Sequence, residues 1–583
     1  MASSFTIDKP TVKKNIDALQ MFIKEKSLDA FYVSSFDEFL NEYVPMENCH
    51  RFYFTGFTGS VASLLVPLVG RVKLYVDGRY HEQAEDEVDN SLVEVIKLKG
   101  SQGLFNTVID DIKENQIKSI GVEGERTSTK FFKELSDTTK VETFNSGELS
   151  NIVDFAVMPK LNNIIHETKD NRGLDTIDKL KRVITSPEEA YFVTAIDSLA
   201  WITNCRGYHL PNLSSFLGRG FVTHDRVYVF IDVNTPVSKE AMEIEGVEFF
   251  KTQTSEIKEK LKSIINSYTL SKVNFDPSML NSADYLMLKS VFDEKTLVQK
   301  PGGLVEFHAI KDLAEIDIMT RGFNKANKAI YNTIKWTKDM VAKGEKISER
   351  DIYNQTSLEY KKQGSFSQSF NTICGVGPNG SIMHYGNPKA DIIIKETDMI
   401  LLDSGGYFDG GFATDTTRTF MASSIEPDQE YKRIFTLVLK GVLQCQNSIF
   451  PEGTNGTTID AFARKPIFDA GMNFAHGTGH GVGIHVHESG AIISPVTDIK
   501  MKVGQVVSIE PGIYVPGFGG VRIENIAIVQ KHPSVEGFLK FKSLVYIGYE
   551  PKLIETSMLT DQEKVWLDEY EAECSIRGTS FQG

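Results

Sequence analysis

Four histidines, His476, His480, His485 and His487, fall within twelve positions of the glycine-rich run AHGTGHGVGIHVHE, and two carboxylates follow in SIEPG (Glu510) and GVRIEN (Glu524). Only 12 histidines occur in 583 residues. Their concentration among glycines marks a polar site built from tight turns, with room for a metal or a substrate.

Upstream, Asp403 ends the apolar run MILLD, and Asp415 lies twelve residues on, beyond the turn SGGYFDGG. Two strands joined by that loop can aim both carboxylates at one centre. In SIEPG, Ser508 and Glu510 alternate with Val507 and Ile509; in GVRIEN, Arg522 and Glu524 alternate with Val521 and Ile523. The alternation turns Glu510 and Glu524 toward a common polar cleft.

Taken singly, each residue has a plainer reading: an Asp in a turn, a Glu before Pro-Gly, a Glu paired with Arg522. Together, four carboxylates would repel one another and resist ionisation unless cations joined them. Four carboxylates and one imidazole are too oxygen-rich for a structural zinc site but suit two divalent ions bridged by carboxylates. Mn2+ is the first expectation, with Co2+ or Zn2+ as alternatives.

Length and composition bound what surrounds this site. A 583-residue chain exceeds one hydrophobic core, so several domains are expected. A formal charge of −15 without a basic block offers nucleic acid no electrostatic footprint. The N-terminal run MASSFTIDKPTVKKN has no signal-like apolar core, and no segment reaches 18 uninterrupted apolar residues. Cys49, Cys205, Cys374, Cys445 and Cys574 are odd in number and widely spaced, as free thiols of a reducing compartment would be. The expectation is a cytoplasmic protein without a membrane partner.

Two segments share a pattern: DAFYVSS from Asp29, followed downstream by VKLYVDGR, and EAYFVTA from Glu189, followed by DRVYVFIDV. They predict two copies of one α/β unit. Weak periodicity around residues 145–165 and the break KPGG at residues 300–303 divide the chain into domains 1–155, 156–308 and 309–583. A helical pattern over residues 313–341, carried by Ile316, Ile318, Met319, Phe323, Ala326, Ile330, Ile334 and Trp336, predicts an outer-layer helix. Beyond it, DMILLD, FATDTTRTF, QVVSIE and GGVRIENIAIV read as strands, and YKRIFTLVLKGVLQCQNSIF and the TTIDAFARKPIF region as helices. An α+β domain follows.

The set SFNTICGVGPNGSIMHYG, LLDSGG, TDTTRTF, FPEGTNGTTIDAFAR, HGTGHGVG, VHE, SIEPGIY and GVRIEN resembles the catalytic domain of the pita-bread metallopeptidases, most of all the long, three-domain aminopeptidase P (Xaa-Pro aminopeptidase) family. RFYFTGFTGS, VDGRYHEQA and DSLAWITNCRG extend the resemblance to the N-terminal domains, and LVYIGYEPKLIETSMLTDQEKVWLDEY to a C-terminal extension. The resemblance implies two related α/β domains before a pita-bread catalytic domain, and a homodimer. It also implies hydrolysis of the N-terminal bond in peptides with proline second, releasing the first amino acid by attack of a metal-bridging hydroxide.

Carried over residue by residue, it names Asp403, Asp415, His480, Glu510 and Glu524 as metal ligands. His384 and His487 become transition-state partners and His476 a further substrate-side histidine. Tyr514 and Arg522 support the ligands. Arg79 would stand at the site's opening, across a subunit interface. The spacing between Asp403 and Asp415 is one residue longer than the family pattern, with Asp409 in the intervening loop, and the extra residue is expected in the loop because a slip within the ladder would reverse every later side chain. A prolidase-like dipeptidase and a non-catalytic pita-bread binding protein are the rival readings.

Overall fold

The computed structural model describes residues 6–99, 102–156 and 160–582. Residues 1–5, part of the run MASSFTIDKPTVKKN, and residues 157–159, within the expected first boundary, lie outside the described residues. The chain divides into two compact units, one made of the described residues of Ser3–Glu167 with Leu174–Phe307, the other of Thr168–Gly173 with those of His308–Gly583.

The first unit holds two six-stranded sheets of one design. One runs Val93–Lys97, Val72–Val76, Ser63–Pro67, Ala30–Ser34, Ser119–Glu123, Lys140–Phe144; the other runs Val247–Lys251, Val227–Ile231, Arg219–Val222, Glu189–Val193, Lys272–Phe275, Leu297–Gln299. In each, the third strand is antiparallel to both neighbours and every other pairing is parallel. The segments that look alike in sequence therefore occupy equivalent strands: Ala30–Ser34 with Glu189–Val193, and Val72–Val76 with Val227–Ile231. At KPGG the chain turns through Gly302 and Gly303, both at positive φ, which glycine adopts without a side-chain penalty.

In the second unit the long helix spans Leu313–Ala342, opened by a reciprocal capping box between Asp312 and Glu315. Ile318, Met319, Phe323, Ala326, Ile330 and Ile334 form its buried stripe, while Ile316 and Trp336 are only half-buried. A three-stranded sheet joins Ile373–Val376, Met399–Ser404 and Thr416–Met421. A six-stranded sheet orders Ile449–Pro451, Phe538–Ser543, Asn525–Lys531, Val506–Ile509, Gly479–Gly481 and Glu488–Ile493. Helices Gln429–Gln446 and Gly456–Asp469 supply apolar faces: Ile434 and Val438 pack with Val521 and Ile523, and Ile459 and Ala463 with Val507 and Ile509.

One element differs from the sequence expectation. GGVRIENIAIV is two strands, Gly519–Arg522 and Asn525–Lys531, with Ile523 and Glu524 between them. The first pairs with Gly512–Val515 and the second with Val506–Ile509, so the partner chain is interrupted at the same level by Glu510 and Pro511. Proline has no N–H to continue the ladder. Both breaks thus leave a glutamate, Glu510 and Glu524, free of regular pairing. Among the described residues, no helix is long and apolar enough to cross a membrane.

Candidate metal centre

Strand Met399–Ser404 pairs antiparallel with Thr416–Met421 so that Asp403 faces Thr417 and Ser404 faces Thr416. Asp415 therefore stands one residue beyond the end of the ladder. The connecting loop forms its own bridge, Tyr407 to Ala413, and its exposed Asp409 pairs with Lys325 at 3.0 Å. The long spacing is absorbed there, and Asp403 and Asp415 are both buried.

His480 lies on the short strand Gly479–Gly481, at a register shift against Glu488–Ile493. Its backbone N–H donates to Ser508 Oγ at 2.9 Å, and its Nδ1 lies 3.0 Å from the Gly481 carbonyl. That carbonyl can only accept, so Nδ1 carries a proton and Nε2 is the atom available to a cation. Nε2 sits 3.2 Å from Glu510 Oε1 and 3.6 Å from Asp415 Oδ2. One ligand atom each of Asp415, His480 and Glu524 lies within 4.8 Å of the others.

The electrostatics show what this arrangement lacks. Burial, then the charges of Glu524, Asp403 and Glu510, push the Asp415 carboxyl well above its usual range; burial, Glu510 and Asp403 do the same to Glu524. Burial also raises Asp403, against the Arg522 guanidinium. Burial works against the charged forms of His480 and Glu510, but their mutual hydrogen bond and attraction outweigh it, carrying His480 up to about 9 and Glu510 down to about 2. Among the described residues, Asp403 Oδ1 and Glu524 Oε1 are buried without a hydrogen-bond partner. Uncompensated buried acceptors are costly, and divalent cations are the groups that fit this donor set.

Arg522, almost fully buried, ties the carboxylates to a second tier. Its Nη2 donates to Asp403 Oδ2 at 2.7 Å and its Nε to Thr417 Oγ1 at 3.0 Å, while Thr417 Oγ1 donates to Glu524 Oε2 at 3.0 Å. Its Nη1 donates to Tyr514 Oη at 2.8 Å, and His476 Nε2 lies 2.8 Å beyond that phenol. Burial lowers His476 to about 4 and raises Tyr514 to about 12, against Arg522, so both are neutral at ordinary pH. The His487 ring lies edge-on to His480, 4.4 Å between centroids. His384 is half-buried, next to Met383, whose carbonyl accepts from Arg522 Nη1 at 3.3 Å. His485 is half-buried and its carbonyl accepts from Gly483 N–H.

The second unit thus gathers Asp403, Asp415, His480, Glu510, Glu524, Arg522, Tyr514, His476 and His487. Arg79 belongs to the first unit, where it forms a fork with Asp77 at 2.9 and 2.7 Å. Sequence reasoning missed Thr417, the hydroxyl shared by Glu524 and Arg522. Its signal was present in TDTTRT, two positions past Asp415 and on the same strand face.

Residues 317–531 match the model of metallopeptidase family M24, and residues 537–577 that of the C-terminal region of this peptidase. Residues 15–154 and 158–315 each match a creatinase/prolidase N-terminal domain. A protein of Laccaria bicolor described as a probable Xaa-Pro aminopeptidase P is 32% identical over 95% of this chain and 88% of its own length. The crystal structure of X-prolyl aminopeptidase from Caenorhabditis elegans, described as a cytosolic enzyme with a di-nuclear active site, superposes with a TM-score of 0.89 at 23% identity, covering 97% of this chain and 96% of its own. The Xaa-Pro dipeptidase from Bacillus anthracis reaches a TM-score of 0.54 at 25% identity and covers 99% of its own length but only 64% of this chain. With a pita-bread metallopeptidase domain behind two creatinase/prolidase N-terminal domains, and a relative aligned over nearly its whole length, the chain belongs to the Xaa-Pro aminopeptidase P family of the M24 metallopeptidases.

Proposed function

We propose that the chain is a metalloaminopeptidase that hydrolyses the first peptide bond of peptides with proline in second place. Two divalent ions, Mn2+ in the cell, are held by Asp403, Asp415, His480, Glu510 and Glu524. The observation that carries the reading is the convergence of these five buried or half-buried side chains with two oxygen atoms, Asp403 Oδ1 and Glu524 Oε1, left without a partner. The full-length match to the aminopeptidase, against 64% coverage by the dipeptidase, favours the aminopeptidase over a prolidase.

When bound, the metal pair supplies a solvent nucleophile of lowered pKa and polarises the scissile carbonyl. The chain's residues do the remainder. Arg522 fixes Asp403 and, through Thr417, Glu524. Tyr514 and His476 fix Arg522. His384 and His487 stabilise the oxyanion and deliver a proton to the proline nitrogen, which must be protonated to leave because the bond cut is a tertiary amide. Arg79 stands at the entrance of a partner subunit's site in a homodimer, and the enzyme works in the cytoplasm. The domain boundaries follow residues 155 and 308.

The test is release of the first amino acid from an Xaa-Pro-Xaa tripeptide, the matching Xaa-Ala-Xaa tripeptide and the Xaa-Pro dipeptide, with chelator and with Mn2+, Co2+ or Zn2+ restored. The proline tripeptide should be cleaved with the highest kcat/KM and only with metal. Equal cleavage of the alanine peptide, or preference for the dipeptide, overturns the reading. Arg79→Ala should raise KM for peptides longer than three residues, and unchanged kinetics remove it from the site.

A further inference from the structure

His384 lies in a turn whose two flanks are held by different partners. On one flank Arg522 Nη1 donates to the Met383 carbonyl at 3.3 Å. On the other the Tyr385 phenol donates to Glu349 Oε2 at 2.8 Å. Glu349 is 0% exposed and opens the helix Glu349–Lys362, where the positive end of the helix favours an anion.

The Glu349 carboxylate is saturated by one loop. Oε1 accepts from Val376 N–H at 3.1 Å and from Asn379 Nδ2 at 2.8 Å; Oε2 accepts from Tyr385 Oη at 2.8 Å and from Lys389 N–H at 3.0 Å. All four donors lie within residues 376–389, the segment that carries His384. An ionised carboxylate is acceptor-only, and four donors fill its lone-pair sites.

The loop also rests on backbone. A Cβ at Gly520 would come within 2.0 Å of the Gly380 carbonyl oxygen, and one at Gly375 within 2.8 Å of the Asn379 carbonyl. Strand Gly519–Arg522 is thus packed directly against the loop whose donors Glu349 accepts. The loop has no room to shift toward that strand, and the four bonds to Glu349 restrain it further.

We propose that Glu349 is a positioning residue for His384: its carboxylate, accepting from four donors, fixes residues 376–389 so that the imidazole is held in one orientation for the reaction. The proposal rests on the reading of His384 as a substrate-contacting group. A neutral amide cannot do the same work. In Glu349→Gln one carboxylate oxygen becomes an NH2 group, which must face either Val376 N–H or Lys389 N–H, and neither backbone donor can reverse.

The experiment measures kcat and KM on an Xaa-Pro-Xaa peptide, with metal content, for Glu349→Gln, His384→Ala and the double variant. Glu349→Gln should lower kcat/KM about tenfold to a hundredfold with metal content unchanged. In the His384→Ala background the same change should cost less than about twofold, because the group it positions is gone. Tyr385→Phe, which removes one of the four donors, should show a smaller loss with the same dependence on His384, and it serves in place of Glu349→Gln if that variant does not fold. Equal losses in both backgrounds, or loss of metal, would show a merely structural residue and overturn the proposal. A drop for His384→Ala alone, with Glu349→Gln and Tyr385→Phe normal, also overturns it. Full activity of His384→Ala sinks the substrate-contact reading itself, and the proposal with it.

Discussion

Tyr514 donates its phenolic proton to His476 Nε2 across 2.8 Å. The direction is fixed from both ends. His476 Nδ1 lies 2.7 Å from the Gly477 carbonyl and must carry the ring's proton, while the phenol oxygen already accepts from Arg522 Nη1 at 2.8 Å. A one-way chain therefore runs from Arg522 through Tyr514 to His476, and Arg522 grips Asp403 with its other terminal nitrogen.

Tyr514→Phe cuts this chain in the middle. Arg522 loses an acceptor and His476 a donor, both inside the protein, while every proposed metal ligand keeps its own contacts. The expected outcome is a kcat/KM lower by about tenfold to a hundredfold with metal content unchanged. Elemental analysis beside steady-state kinetics checks it, and normal turnover would show that the chain supports nothing in catalysis.

Metal removal should weaken the fold as well as abolish turnover. Without cations, burial and neighbouring charge push the Asp415 and Glu524 carboxyls well above their usual range, so their ionised forms are disfavoured in the fold. Divalent metal at a hundredfold excess over its Kd should stabilise the protein by about 2.7 kcal/mol, read as a rise in Tm after chelation and reloading. Thr417→Val, which removes the hydroxyl between Glu524 and Arg522, should weaken metal affinity by about tenfold to a hundredfold. A Tm indifferent to metal would argue against a buried cation site.

Much of this centre is legible in the sequence because strand alternation is strict. Asp403, Glu510 and Glu524 each sit at or just beyond the end of an apolar run, and period two predicts that they face away from Val507, Ile509, Val521 and Ile523. The repeat in the first unit is legible for the same reason, since each copy places an apolar run on the fourth strand of its sheet. The break between Arg522 and Asn525 is not. It is set by where the partner strand stops at Glu510 and Pro511, a relation between segments that no local pattern encodes. Glu349 was invisible for a similar reason: its four partners lie 27 to 40 positions away.

His209 gives the protein an acid-sensitive point far from the metal ligands in sequence. Leu217 N–H donates to its Nδ1 at 3.0 Å and its Nε2 lies 3.0 Å from the Asn162 carbonyl, so only the neutral Nε2–H tautomer satisfies both neighbours. Burial lowers it from 6.5 to about 4. As pH falls through 6.5 the unfolded chain takes up this proton before the folded one does, so stability declines from pH 6.5 to about 4 and levels below that. The loss is roughly 3 kcal/mol at the acid end, and His476, lowered to about 4 by the same cause, adds to it. Urea unfolding across this range should show a shallower slope for His209→Gln. An identical slope would mean that His209 does not report the transition.

At Gly479 the strand that carries His480 closely approaches its neighbour. A Cβ there would stand 1.9 Å from the Ser508 carbonyl oxygen, a distance no rotamer can relieve because both atoms are fixed by backbone. Gly479→Ala must therefore push strand Val506–Ile509 away from Gly479–Gly481. Two bonds cross that gap beside the centre: His480 N–H to Ser508 Oγ at 2.9 Å, and Glu510 N–H to the Thr478 carbonyl at 2.7 Å. Lengthening them moves His480 Nε2 out of its 3.2 Å approach to Glu510 and its 3.6 Å approach to Asp415. Overpacking of this kind costs about 1–3 kcal/mol, and here the larger effect should fall on the metal. The variant should unfold earlier, bind less metal at equal free concentration, and lose most of the Tm increment that metal gives the parent. Comparing the apo and metal-loaded melting curves separates the two effects. A variant that is destabilised but keeps the parent's full metal-dependent increment would show that His480 tolerates the shift, and would remove this strand pairing from the account of how the ligands are held.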